Sequence, residues 1–143
     1  MRFLEDMKNT KKFLNFEKMP FEEKSFGLIT AFQVLEHLEN PFHFARECVR
    51  LLKDGGTLIL SFPSGKSIWS RISYLLSNNI TGFDLINNHI TFLSADIFTK
   101  TFIRDFSIEK VVYDRGFIPY LKLRTFPHKL LSKRICYFLK KKV

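Results

Sequence analysis

Glu36 and His37 stand side by side at the end of the run Gln33-Val34-Leu35-Glu36-His37. An imidazole takes up or releases a proton near neutral pH, so His37 is a candidate general base or substrate-orienting group. A structural histidine at a turn is the plain alternative. The adjacent carboxylate raises a third reading, a divalent metal. No metal ligand set is assigned. His43 and His128 read as surface or capping histidines. No Ser-His-Asp or Cys-His arrangement can be built, since nothing marks a nucleophile. Cys48 and Cys136 have neither a disulfide framework nor a metal-like spacing. Cys48 falls on the apolar face of a predicted helix, as a buried, inert thiol would.

These residues need elements to hold them. Phe26–Phe32 is nearly all apolar and predicts a strand covered on both faces, as in parallel sheets. Asn40-Pro41 is a cap followed by a proline suited to the first helical position. Phe44, Ala45, Cys48, Val49 and Leu52 then recur at helical spacing, predicting a helix from Pro41 to about Lys53. Gly55-Gly56 supplies a left-handed stop, and Thr57–Phe62 reads as the next strand, ended by Pro63. Strand, helix and strand with short connections make a βαβ unit. Ligands of such sheets bind outside the carboxyl ends of the strands, which points to Ala31–Gln33 and Phe62–Gly65.

The flanking segments read less sharply. Lys11–Phe16 is taken as a short strand, and Met1–Thr10 has a weak helical pattern. Ser67–Ser77 predicts a helix and Asn78–Asn88 a loop. Ser94 resembles an N-cap for a helix over Ala95–Phe106. Ser107–Tyr113 alternates as a strand does, and Arg115-Gly116 reads as a turn.

With 143 residues, 45% of them hydrophobic and 26% charged, the chain suits one globular domain rather than disorder. No stretch approaches the roughly 18 apolar residues needed to cross a bilayer, and no signal peptide is visible. A cytoplasmic protein is expected. Charge is uneven. The last acid is Asp114, and eight Lys and Arg residues follow from Lys122 onward. They account for all but +1 of the net +9. Leu130, Leu131, Arg134, Ile135 and Phe138 give residues 122–143 a mixed helical stripe. A basic amphipathic helix there could dock on the domain or lie on an anionic membrane, making the protein peripheral to it. Nucleic acid is disfavoured, because no known binding motif is present.

Three ordered segments together resemble class I S-adenosylmethionine-dependent methyltransferases. They are Asn15–Phe21, Phe26–Leu38 ending in Val34-Leu35-Glu36-His37-Leu38, and Arg50–Ser61 with its Asp54-Gly55-Gly56. His89–Ser94 resembles the family's C-terminal portion. The resemblance implies a partial Rossmann-like α/β fold, a mostly parallel sheet with flanking helices, whose first strands are absent. Residues 1–121 would be the C-terminal portion of the methyltransferase domain, followed by 122–143 as a basic helix or tail. It implies S-adenosylmethionine as cofactor and a small-molecule, lipid or saccharide acceptor.

Position by position, the resemblance puts Asn15 where the family usually has an Asp bonded to the adenine amino group. Phe16 lies against the adenine, and Ala31, Phe32 and Gln33 lie under the methionine portion. Plain core packing is the alternative for both phenylalanines. His37 would sit at the mouth of the site, with His89 facing the substrate region. Some quinone and RNA methyltransferases bind a metal through Glu-x-x-Glu-His, whose first position is Gln33 here. Gly27 and Asp54 also depart from the family, which usually has Asp and Pro there. The family's Gly-x-Gly turn and ribose-binding acid have no counterpart. The expectation is a truncated or split methyltransferase that alone holds the cofactor weakly. Its strand Phe26–Phe32 would then be an open edge, available to a complementing chain or to self-association. A non-catalytic remnant or interaction module is the alternative.

Overall fold

The computed structural model describes residues 12–64, 67–78, 88–118 and 123–143. The predictions over Met1–Thr10 and over most of Asn78–Asn88 lie outside these residues. The described residues open in helical conformation at 12–15, with the Phe16 N–H donating to the Lys12 carbonyl at 2.8 Å. It replaces the strand expected over Lys11–Phe16. The turn half-buries Leu14 against the core and buries Asn15.

Strand β1 spans Phe26–Phe32. Helix α1 spans Pro41–Leu51, with the Asn40 side chain accepting from the His43 N–H at 3.0 Å. It ends two residues before Lys53, where Leu52 turns extended and starts strand β2, Leu52–Pro63. Gly55 has φ +68, the left-handed geometry that suits glycine. A Cβ on Gly56 would stand 2.8 Å from the Lys53 carbonyl oxygen, so only glycine fits the bulge there. Helix α2 is Ile68–Ser77. The Ser94 side chain caps α3, Ala95–Phe98, by accepting from the Ile97 N–H, and a π-helical turn over Thr99–Ile103 continues it. Strands β3 (Phe106–Tyr113), β4 (Arg115–Ile118), β5 (Leu123–Pro127) and β6 (Arg134–Lys141) follow. Arg115-Gly116 is thus within a strand, paired with β5, and not a turn.

The main sheet has the order β1-β2-β6-β3. β1 runs parallel to β2, and β6 lies antiparallel between β2 and β3. Among the described strands the sheet is therefore mixed rather than mostly parallel. Where a basic helix or tail is expected over 122–143, the described residues 123–143 carry two strands, one of them interior to the sheet. Ile135 and Leu139 bury at every fourth position while β6 pairs on both sides, a ladder that a helix could not supply. The terminal charges serve the fold. Lys141 Nζ donates to the Leu52 carbonyl at 2.8 Å, and Lys142 Nζ to the carbonyl of Ile103 at 2.8 Å at a helix C-terminal end.

One face of the sheet carries the core. Leu58, Leu60 and Phe62 of β2 and Leu139 of β6 pack in one cluster with Phe44, Ala45 and Cys48 of α1 and with Phe98 and Phe102. The other face is open among the described residues. Leu28 is 53% exposed and Phe32 57%. This corrects the expectation that β1 is covered on both faces. As an edge strand with packing on one side, β1 needs apolar residues only at alternate positions, and the rest lie bare.

Candidate functional site

Parallel pairing puts the carboxyl ends of β1 and β2 next to each other, with Phe32 opposite Ser61. Gln33 follows with φ 53, a left-handed conformation that costs a non-glycine residue about 1 kcal/mol or more. Two bonds fix it. The Gln33 N–H donates to the Ser61 carbonyl at 2.9 Å, and the Gln33 Nε2 donates to the Ser61 hydroxyl at 3.2 Å. The chain thereby turns sharply off the sheet into a short 3-10 turn, Leu35–His37. Ala31 is buried, Phe32 exposed and Gln33 half-buried. The row Phe32, Ser61, Cys136 and Val112 crosses all four strands on the open face and floors a groove of about 250 Å³.

The adenine-side residues are placed differently from one another. Phe16 is 61% exposed. Asn15 is buried, and its Oδ1 accepts the N–H groups of Glu39 at 2.8 Å and Asn40 at 3.2 Å. An amide oxygen has two lone pairs, so both are taken by the loop ahead of α1. The loop that follows Phe16 is held by an ion pair absent from the sequence reading. Arg50 Nη2 donates to Glu47 Oε2 at 2.7 Å, while Glu47 Oε2 also accepts the Met19 N–H at 2.8 Å. The Arg50 guanidinium further donates to the carbonyls of Phe21 and Met19. Hydrogen bonding from Arg50 holds the Glu47 carboxyl below the usual carboxylate range, against the opposing effect of burial. Cys48, beside it, is fully enclosed, and burial pushes its thiol far up, as expected for an inert cysteine.

His37 is exposed, and its Nδ1 lies 2.9 Å from the Asn88 carbonyl oxygen, to which it donates. Its ring meets that of His89 edge-on, with centroids 4.8 Å apart. Backbone bonds weld the two segments. The Glu36 carbonyl accepts the N–H groups of Ile90 at 2.8 Å and Thr91 at 3.1 Å, and the Thr91 hydroxyl donates to the Leu38 carbonyl. Glu36 itself is 1% exposed. Beyond the end of β2 an apolar cavity of about 140 Å³ is lined by Phe62, Ser64, Phe92, Phe98 and Tyr137, among others.

A parallel βαβ unit with a sharp turn where its strands end together defines a partial Rossmann-like α/β fold. Residues 5–60 match the family model described as "Methyltransferase domain". Fifty residues are 38% identical to a Mycobacterium tuberculosis protein named "Probable S-adenosylmethionine-dependent methyltransferase", covering 35% of this chain and 18% of that one. Thirty-seven residues are 49% identical to a "Ubiquinone biosynthesis O-methyltransferase" of Xanthomonas campestris, covering 26% of this chain and 16% of that protein. Among solved structures, a SAM-dependent methyltransferase of Thermotoga maritima aligns with TM-score 0.62 at 16% identity, over 87% of this chain and 60% of that one. Another from Archaeoglobus fulgidus gives TM-score 0.57 at 13% identity, over 85% and 62%. Residues 5–60 thus resemble a methyltransferase domain, and the described chain shares the partial Rossmann-like fold of these solved structures. Its matches span under a fifth of the length of these two curated relatives.

The described residues fit that cofactor in part. Ala31–Gln33 offer a floor at the strand ends, and exposed Phe16 offers an aromatic face. Among the described residues no Gly-x-Gly turn and no strand-end carboxylate for a ribose is found, and the Asn15 oxygen is engaged.

Proposed function

We propose that the chain serves S-adenosylmethionine-dependent methyl transfer to a small-molecule acceptor, with lipid and saccharide acceptors in the same class. The observation that carries this is the turn at Gln33, strained and pinned to Ser61, where the two parallel strands end together. When bound, the cofactor supplies an electrophilic methyl group that passes directly to the acceptor. The chain's own part is positioning. Ala31–Gln33 support the cofactor's methionine portion, Phe16 covers an aromatic ring, and His37 orients the acceptor at the mouth. The apolar cavity beside Phe62 and Tyr137 suits an acceptor with an apolar or aromatic body.

The test is methyl transfer from methyl-labelled cofactor, at millimolar concentration to offset the sparse grips. Phenolic, lipid and saccharide acceptors form the panel. Label in an acceptor, reduced about tenfold or more in His37→Ala, is expected. Folded protein that labels none of them contradicts the proposal.

A second reading is supported by β1, which among the described residues pairs on one side only and leaves one face exposed. Leu28 and Phe32 form an apolar surface of the kind that interaction modules use. In that reading the chain acts by pairing with another chain or a second copy.

A further inference from the structure

Helix α2 is built inside out. Its serines turn toward the domain: Ser67 at its start and Ser70 are buried, and Ser73 is half-buried. Its aliphatic residues turn away. Ile68, Ile72, Leu75 and Leu76 fall within about 100° of arc at helical spacing. All four are exposed, Leu75 to 81% and Leu76 to 83%. A helix that only packed on its own domain would bury such a stripe and leave its serines in water. Single exposed leucines are ordinary, but a continuous outward stripe marks a surface that meets something apolar. The surface continues past the helix. The Ile68 N–H donates to the Leu130 carbonyl at 2.7 Å, which seats the turn ahead of β6 beside the start of α2, and Leu130 is exposed as well.

The charge around this stripe has one sign. No Asp or Glu occurs between Asp54 and Asp84, and none after Asp114. Exposed Arg71 lies on α2, and exposed Lys129 and Lys133 lie on the adjoining turn. Asp114, which Ser132 of that turn contacts, has its carboxylate paired with the Arg134 guanidinium at 3.3 Å. We propose that α2 and the turn at residues 128–133 form a docking surface for an anionic lipid bilayer. The four aliphatic side chains enter the boundary between headgroups and acyl chains, and Arg71, Lys129 and Lys133 meet lipid phosphates. Interfacial helices join an apolar stripe to flanking cations in this way. The helix lies on the bilayer, since no described helix is long and apolar enough to cross a membrane. The uniform charge favours a phosphate-bearing surface over a second copy of the chain, which would bring the same cations against these. The basic and amphipathic character expected of one helix over 122–143 is thus divided in the fold. α2 supplies the apolar stripe, and the turn before β6 supplies cations. None of these residues belongs to the strand-end turn, so the inference holds or fails separately from methyl transfer.

Co-sedimentation of the full chain with phosphatidylcholine vesicles containing about one third phosphatidylglycerol is the test. Pelleting with these vesicles is expected. It should weaken about tenfold or more with pure phosphatidylcholine, and also in about 1 M salt, where charges are screened within about 3 Å. Leu75→Ser combined with Leu76→Ser removes the two most exposed members of the stripe and should weaken partitioning about tenfold or more. Both side chains are exposed, so the thermal unfolding of this variant should match wild type. Lys129→Gln combined with Lys133→Gln should weaken partitioning about tenfold. Leu28→Ser, on the open face of β1, should partition as wild type does. No pelleting with the anionic vesicles, equal pelleting with neutral ones, or pelleting unchanged in the folded Leu75 and Leu76 variant would each overturn the inference. So would loss of self-association in that variant, measured by sedimentation velocity, with vesicle binding intact, which would make the stripe an interface between copies.

Discussion

Asn15 Oδ1 accepts the backbone N–H of Glu39 at 2.8 Å, which ties the helical turn at residues 12–15 to the loop that opens α1. The second lone pair takes the Asn40 N–H at 3.2 Å. This oxygen is thus a structural acceptor for two N–H groups. Asn15→Ala should lower stability by about 1–3 kcal/mol in urea denaturation, because it strips buried donors of their partner. Asn15→Asp keeps the acceptor and should cost far less. Equal losses in both variants would show that the bonds are not what holds the turn.

Arg50 and Glu47 staple the Met19–Phe21 loop to α1. Removing the guanidinium in Arg50→Ala leaves the buried Glu47 carboxylate uncompensated and should cost roughly 3 kcal/mol. The pair also carries an acid sensitivity of defined sign. The folded-state value of Glu47 is lowered from an ordinary 4.5, chiefly by the hydrogen bonds from Arg50. Its contribution is complete above that ordinary value and is lost as pH falls through the lowered one. Denaturation curves between neutral pH and pH 3 should therefore converge for wild type and Glu47→Gln as the pH drops.

Leu139 is fully buried in β6, the strand between β2 and β3. Leu139→Ala should cost about 2–5 kcal/mol. Deleting residues 134–143 should abolish cooperative thermal unfolding, since the interior strand goes with them. A docked tail would have been dispensable in both experiments.

Leu28→Lys sits on the bare face and should leave stability within about 0.5 kcal/mol of wild type. Sedimentation velocity should show less association at high concentration than for the unmodified chain. A large loss of stability would mean that this face is covered in solution.

The parts of the fold that were legible share one property: local rules and tertiary packing agree. Asn40-Pro41 caps the helix that the spacing of Phe44, Ala45 and Cys48 demands, and Ser94 caps α3. The C-terminal strand was not legible, because Leu130, Leu131, Ile135 and Phe138 also fit a helical stripe. Its lysines looked solvated, whereas two of them bond carbonyl oxygens of distant segments, a use with no local signature. At the candidate site the strand ends followed from the βαβ pattern. The meeting of His37 with His89 depends on backbone bonds across distant segments, which spacing does not encode. The Glu47–Arg50 staple had a local trace, an acid and a base three apart on one helix, but nothing local marks its loop carbonyls.

The central claim is that the strand-end turn of β1 supports the methyl donor. Amide NMR of the labelled chain, titrated with S-adenosylmethionine into the millimolar range, tests it most directly. The account predicts shifts concentrated at Ala31, Phe32 and Gln33, with Phe16 following. A spectrum unchanged at the highest cofactor concentration, or shifts confined to residues away from these, would contradict it.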